Sequence, residues 1–568
     1  MISNFELIEV KWKKWICTLS FIVALSGVIA ARRMTQNEYF ESNSVQNTGQ
    51  RFSSVLHRIP AGILLRITQK GFDEISSALQ NSLKLALPQL TLRNLARADV
   101  LRVTVNVVEL KVVSFDSFDH LRLILQLNTE EQIRVFARIG KLALRVTITT
   151  NRRLIRSVTF TVHASDVAFN IGFILSASPD GKLRVAIGSC DFSIGRVRVV
   201  TERLEGSRFI WQLVRSLLRS NIRRFVNRKL CKVLRNHVPG EIDTHIRAGG
   251  KENLAHGDAY NLSLISSSGN FRHRNGSPMS IFAEKLDKAL RQLHINFGLV
   301  ESPSVHKKGS TVFINIPVNG EIHAGPNSRT RLARHAMNEI GMDTNKMLYI
   351  GINEFVVNTL FNSLYLIGAL NFTLNSANAP KLADFLQTDC DAVCLGTLLP
   401  DVADAPPGET YSLMVAANRA PVVHFSAQGI HINLTAVMSA YADNAASKLS
   451  VMKSDIVIAA TVNLRVSKHR LHGTVKVHKF LFKPKDELNF SETIVELINE
   501  VSGKAIEAEL NRIFEAGVPL PTFDLFSMTN GAITHVLNGL WVELDFNFNN
   551  AALAKLIRKI LSHSNSHD

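Results

Sequence analysis

After residue 31 this chain has no apolar run long enough to cross a bilayer, for which a helix needs about 20 residues. Its one long apolar run, ICTLSFIVALSGVIA at 16–30, falls short of that. The run follows Lys11, Lys13 and Lys14 and ends on Ala30 and Ala31. This is the order of a secretory signal peptide, with an uncleaved anchor as the alternative, and it predicts a secreted, extracellular protein. Aromatic residues are few, at 7%, and the basic segments are not interleaved with them. That argues against a stacking platform for nucleic acid, so no nucleic-acid partner is expected. Catalytic signatures are missing too: there is no GxSxG elbow, no Walker A loop, no HExxH, and no GxGxxG after a strand. Nothing assembles an acid–base or nucleophile site, so a non-enzymatic protein without cofactor is expected.

Cysteine is scarce, with five in 568 residues. Cys17 would leave with the signal, and Cys190, Cys231, Cys390 and Cys394 remain, an even number. Order along the chain and a secretory route predict Cys190–Cys231 and Cys390–Cys394, against the alternative of four buried thiols. Without a CxxC pair or HExxH, no metal is expected. Sequons at Asn261, Asn371, Asn433 and Asn489 fit glycosylation on the same route.

Acidic charge is lacking in one half only. Residues 32–250 hold 34 Lys and Arg against 17 Asp and Glu, while residues 251–568 hold 28 against 29. A field concentrated in this way implies an anionic partner. Its centre is the stretch RFIWQLVRSLLRSNIRRFVNRKLCKVLRNHVP at 208–239, where apolar residues spaced by three and four form one stripe and arginines the other face. The stripe either covers a core or closes a cavity.

Around that helix the plan repeats. Residues 31–60 are a polar leader. From 61 a short strand runs into a helix with Phe72, Ile75, Leu79 and Leu83 on its inner face, ended by Pro88. From about 100 to 200 the period changes to two, the mark of an antiparallel meander with one wet face. The second half starts again with a strand and helix at 346–370, continues in alternating segments such as 455–482, and ends in a long helix at 492–514. The strand–helix starts lie 285 residues apart, the long helices 283 and the Val-Pro stops 280, which implies duplication. The predicted fold class is α+β: two pseudo-repeated modules, each a curved antiparallel sheet or barrel wrapped on long amphipathic helices. The predicted domains are a signal peptide at 1–30, the leader at 31–60, an N-terminal basic module at 61–250, a connector with central-sheet strands at 251–345, a C-terminal module at 346–550 and a tail at 551–568.

Four segments carry a resemblance. They are AGILLRITQKGFDEIS (61–76), the pair Cys190 and Cys231 around FIWQLV, KMLYIGINEFVVNTLF (346–361) and GVPLPTFDLF (517–526). In this order, across about residues 60–548, they resemble the family of bactericidal/permeability-increasing protein, lipopolysaccharide-binding protein and the plasma lipid-transfer proteins. The resemblance implies an elongated boomerang of two barrels joined by a central sheet, with an apolar pocket for phospholipid in each. It also implies that basic residues at the first barrel's tip bind lipopolysaccharide. The matching residues are Arg152, Arg153 and Arg156, with Arg208, Arg215 and Arg219 at the start of the long helix, against the plainer reading of solvated turns. The leader, the Cys390–Cys394 pair and the C-terminal end have no counterpart in that pattern.

Physically, a tunnel lined by Ile75, Leu79, Leu213, Leu217 and Phe225 could take an acyl chain. Burying sixteen carbons there yields on the order of 10 kcal/mol before binding costs. The alternative is that these residues fill a solid core. The expected function is therefore a secreted protein that binds phospholipid in apolar pockets and lipopolysaccharide or other anionic lipid through its basic module, with an innate-immune role. It would act peripherally at a membrane or lipoprotein surface. The runner-up is an extracellular lipid carrier or transfer protein without antibacterial action.

Overall fold

The structure is a computed structural model. It describes residues 60–86, 91–100, 103–114, 122–152, 155–209, single positions of 211–235, most of 285–290, 292–324, 332–341, 345–378, 383–389, 394–398, 408–443, 450–467, 470–485, 492–519 and 525–563.

The first half begins with β1 (Ile63–Thr68) and α1 (Gln69–Ala86). The meander follows as β2 (Thr91–Val100), β3 (Val103–Ser114), β4 (Arg122–Asn128), β5 (Gln132–Arg152), β6 (Ile155–Ala177), β7 (Leu183–Ser193) and β8 (Arg196–Gly206). β5 and β6 are long enough for each to carry two shorter strands in tandem along one edge. β3 and β4 both pair with β5, and β7 and β8 both pair with β6. The β6–β7 turn is the SPDGK segment. Ser178 Oγ accepts from the Lys182 N–H at 3.0 Å, and Gly181 takes a φ of +78°, a conformation that glycine adopts without strain.

Between the halves lie β9 (His294–Ile295), β10 (Ser304–Lys308), β11 (Thr311–Val318) and β12 (Ile322–His323). The second half then runs β13 (Leu348–Asn353), α2 (Glu354–Leu366), β14 (Asn371–Leu374), β15 (Tyr411–Ala417), β16 (Val422–Ser426), β17 (Gly429–Ala442), β18 (Ser450–Ser467), β19 (Arg470–Pro484), α3 (Glu492–Ala516), β20 (Val518–Pro519), β21 (Phe526–Val536), β22 (Gly539–Phe548) and α4 (Asn550–His563). Its sheet repeats the first: β15 and β16 share one edge of β17, whose other edge pairs with β18, and β18 pairs in turn with β19. The six-stranded central sheet has the order β10-β11-β1-β13-β22-β21 and so takes strands from both halves. Neither seven-stranded sheet closes on itself among the described residues, so each is an open curved sheet rather than a closed barrel.

The duplication is visible in atoms. β1 and β13 begin at Ile63 and Leu348, the same 285-residue offset that the sequence carries. In both halves the helix that follows clamps an edge strand with polar side chains. In α1, Gln69 Oε1 accepts from the Leu127 N–H at 2.8 Å and Ser76 Oγ accepts from the Leu125 N–H at 2.9 Å, both on β4. In α2, Glu354 Oε2 accepts from the Phe425 N–H at 3.0 Å, and Asn358 exchanges two 2.8 Å bonds with Val423, both on β16. Gln69 and Glu354 are themselves 285 residues apart. An edge strand presents unpaired N–H and C=O groups, and these side chains supply the missing partners.

α3 does the same along β19. Asn499, Glu507 and Asn511 accept from the N–H groups of Phe482, Val477 and Val475 at 2.6, 2.7 and 2.7 Å. Gly503 completes that four-residue spacing, and a Cβ there would stand 3.2 Å from Phe480 Cβ, so the helix lies close on the strand.

The main core joins both halves. Phe72, Ile75, Leu79 and Leu83 of α1 pack with Leu123, Leu125 and Val135 of the first sheet, and also with Leu553, Ala554 and Ile557 of α4. Residues 551–568 were expected to be a tail. Instead α4 lies on α1, with Leu553 and Ile557 one helical turn apart on the buried side and the Ser82 hydroxyl donating to Asn550 O at 3.1 Å. At the centre, Arg66 of β1 is 1% exposed and lies between the rings of Phe313 and Trp541, at 4.4 and 4.7 Å. Its guanidinium donates to Glu339 at 2.9 Å and to Asn315 at 2.9 Å, so the buried charge is paired.

Candidate functional site

Of the five residues expected to line a tunnel, Ile75 and Leu79 are described. They are 0% and 1% exposed and packed under the first sheet. Leu213, Leu217 and Phe225 lie outside the described residues. Within the long basic stretch, Arg208, Phe209, Trp211, Gln212, Arg215, Cys231 and Arg235 are helical. Two contacts pin that stretch to the sheet. Trp211 is 2% exposed, its Nε1 donates to Thr201 Oγ1 at 2.6 Å, and its ring lies 5.3 Å from that of Phe160. Twenty residues on, Cys231 is bonded to Cys190 of β7, with the two Cα atoms 5.7 Å apart. Arg235 also donates to Gly188 O at 2.9 Å. Trp211 and the Cys190–Cys231 bond hold these described positions against β8 and β7. In the sequence Trp211 stands out only as one letter of the FIWQLV segment.

The tip arginines come together in part. β5 and β6 meet at the Arg152–Ile155 pair, and Ile155 also pairs with Gly206 of β8. Arg156 and Arg208 therefore stand at one end of the sheet, and both are exposed, as is Arg215. Arg153 and Arg219 lie outside the described residues. Further along, Glu202 is held below the usual carboxylate range, first by the hydroxyl of Thr161, against the opposing effect of burial, and then by Arg145 at 2.7 Å.

Cys394 is buried, and Cys390 lies outside the described residues. Asn433 is exposed on β17 and Asn371 half-buried at the start of β14, while Asn261 and Asn489 lie outside the described residues. Among the described residues no three His, Cys, Asp or Glu side chains stand close enough to hold a metal. No helix of these residues is long and apolar enough to cross a membrane.

Beside the polar clamp, α3 packs Ile498, Leu510 and Phe514 against the second sheet's cores, while Leu497 and Val501, one turn apart, are left 60% and 55% exposed. Sequence reading also missed a hydrogen-bonded chain on this sheet. His431 lies 2.8 Å from Ser426 Oγ through one ring nitrogen and 3.0 Å from Thr461 Oγ1 through the other, and His478 lies 2.7 Å from the same Thr461 oxygen.

Comparison with known proteins decides the family. Residues 64–240 match the N-terminal domain, and residues 287–548 the C-terminal domain, of the LBP / BPI / CETP family. The chain belongs to the LBP / BPI / CETP family. It is similar to the bactericidal permeability-increasing protein of Rattus norvegicus, at 22% identity over 401 residues, covering 68% of this chain and 73% of that one. It is also similar to the lipopolysaccharide-binding protein of Homo sapiens, at 20% identity over 354 residues, covering 62% of this chain and 63% of that one. Among solved structures, a crystal structure of lipopolysaccharide binding protein covers 86% of this chain and 100% of that one, at 14% identity and a TM-score of 0.40. The LBP / BPI / CETP family is one of lipid-binding proteins, not enzymes, and its two-domain architecture fits the duplicated fold described above.

Proposed function

We propose that this family member is secreted, holds phospholipid in apolar pockets and engages lipopolysaccharide or another anionic lipid through its basic N-terminal module, in innate immunity. The observation that carries this reading is the one-sided charge. The excess of Lys and Arg, 34 against 17, falls within residues 32–250, and the second half is balanced at 28 against 29. Charge segregated to one module aims it at an anionic surface and leaves the other free of that pull. The anionic group would meet Arg152, Arg153, Arg156, Arg208, Arg215 and Arg219, whose planar guanidinium groups suit bidentate contact with phosphate.

The phospholipid pocket of the first module would lie along Ile75, Leu79, Leu213, Leu217 and Phe225. In the second module, the exposed Leu497 and Val501 of α3 support an apolar site that a lipid chain would cover. Secretion also brings the Cys390–Cys394 bond and glycans on Asn261, Asn371, Asn433 and Asn489 into the reading, and the chain would work peripherally at a membrane or lipoprotein surface.

The test is binding of immobilised lipopolysaccharide by the full chain and by the R152E/R153E/R156E variant. Reversal of three contacts should weaken binding at least about 100-fold, since a charge-assisted hydrogen bond contributes about 1.5–3 kcal/mol. Equal affinity of the two proteins would refute the tip assignment.

A further inference from the structure

We infer that Phe209 is an apolar anchor that enters an assembled lipid layer when the N-terminal module docks on it. The inference rests on the reading that Arg156, Arg208 and Arg215 meet anionic headgroups. Strand register puts the ring in place. β8 ends at Gly206, opposite Ile155 of β6, and Ile155 pairs in turn with Arg152 at the end of β5. Gly206 takes a φ of +151°, which glycine adopts without a Cβ clash, and the chain passes there from strand to helix. Phe209 follows three residues later, at the same end of the sheet as Arg156 and Arg208.

Its direction is set by a neighbour. The Trp211 N–H donates to Ser207 O at 3.1 Å, which closes a helical turn around Phe209. Successive helical residues are about 100° apart, so side chains two positions apart point about 160° away from each other. Trp211 is buried against the sheet, and Phe209 is therefore held outward. It is 70% exposed, more than any other large apolar side chain among the described residues. The same geometry brings Arg208 and Arg215, both exposed, within about 20° of one line along the helix.

A single exposed apolar residue is ordinary on a protein surface. This one differs in its rigidity and its company. A ring held outward by a fixed turn loses little freedom when it inserts. Around it stand exposed arginines, and Glu205 at this end of the sheet is engaged by Arg203 at 3.4 Å. Durable attachment to a membrane takes two signals, apolar insertion and basic charge, because either alone is weak. A soluble polyanion would satisfy the arginines and leave the ring in water. A second copy of the chain, meeting tip to tip, would cover the ring and set arginine against arginine. An anionic lipid layer answers both features.

Wild type, F209A and F209W would be floated with vesicles of phosphatidylcholine containing phosphatidylglycerol, and bound to immobilised heparin as a polyanion without an apolar layer. F209A should lose at least about tenfold in vesicle affinity, the scale of one buried phenyl ring, and keep its affinity for heparin. F209W should retain vesicle binding. Its emission, after subtraction of wild type, should shift to the blue on vesicles and be quenched by bromine-labelled acyl chains. Vesicle affinity of F209A equal to wild type, or F209W emission unmoved by vesicles, overturns the proposal. Equal losses on vesicles and heparin also overturn it, because the ring would then only support the turn. A change of F209A in sedimentation mass alone gives the ring to a second copy and overturns it likewise. The R152E/R153E/R156E variant is carried through the same assays. Its loss with F209A unchanged upholds the arginine reading against the anchor, and loss by F209A alone upholds the anchor against the tip assignment.

Discussion

Asn511 of α3 is the residue on which the helix-to-edge clamp can be tested most sharply. Its side chain accepts from the Val475 N–H at 2.7 Å and donates to the Val475 carbonyl at 2.8 Å, closing both backbone groups of one buried β19 residue. Asn511→Ala removes both bonds. At a net 0.5–1.5 kcal/mol each, the local loss should be about 2 kcal/mol, with solvent access at the strand edge limiting any further cost of leaving the groups unpaired. The assay is native-state hydrogen exchange at the amides of Val475 and Val477. A loss of that size speeds exchange about 30-fold if the segment opens locally, because 1.4 kcal/mol is a factor of ten. As a control, Glu500→Ala removes a solvent-side carboxylate whose partner is Lys504, also exposed, and should leave β19 exchange within about twofold. Equal exchange at Val475 in wild type and Asn511→Ala would refute the idea that polar side chains, rather than apolar packing, fix α3 to the sheet.

Three further outcomes follow from the same contacts. Replacing Cys190 and Cys231 by serine should cost about 4 kcal/mol on the loop-entropy view for their 41-residue separation, read as a fall in the urea midpoint that reductant reproduces in the wild type. Burial alone would push the Asp545 carboxyl up, but hydrogen bonds from Asn530, from Lys70 at 3.1 Å and from the Met347 N–H outweigh it and hold the carboxyl below its usual range. A depressed folded-state pKa contributes stability above the ordinary carboxylate value of about 3.9, and that contribution is lost as pH falls through the lower folded value. Asp545→Asn should therefore lower the thermal midpoint at neutral pH and flatten its decline below about pH 4, and an identical pH profile would contradict the assignment. Trp211→Ala should loosen the start of the basic helix, costing about 3 kcal/mol and raising proteolytic cleavage near residue 215.

Much of the fold was legible because its signals are periodic. The period of two from about 100 to 200 marks an antiparallel meander, and strands β2–β8 occupy that span, with Leu123, Leu125, Val135, Ile171 and Phe173 among their buried residues. The offset of 285 between two strand–helix starts exposed the duplication before any contact was known. What stayed hidden depends on partners far along the chain. Asn499, Gly503, Glu507 and Asn511 form a polar stripe that periodicity assigns to solvent, yet it faces β19, because an unpaired strand edge recruits polar groups as readily as water does. The C-terminal segment carries Leu553 and Ile557 at helical spacing, but without a repeat counterpart nothing in the sequence pointed it at α1, 470 residues away. A helix stripe looks the same whether it fills a core or lines a cavity, so Ile75 and Leu79 were open to both readings. Charge segregation was plain from composition.

Lipid binding is the central claim, and the lipid content of the protein tests it most directly. The full chain, purified from a secreting host and passed through gel filtration, would be extracted and its phospholipid counted by mass spectrometry, then offered phosphatidylcholine vesicles and counted again. About two phospholipids per chain, one per module, is the predicted result. No phospholipid before or after exposure to vesicles would contradict the account and would mean that the apolar faces of both modules are closed cores.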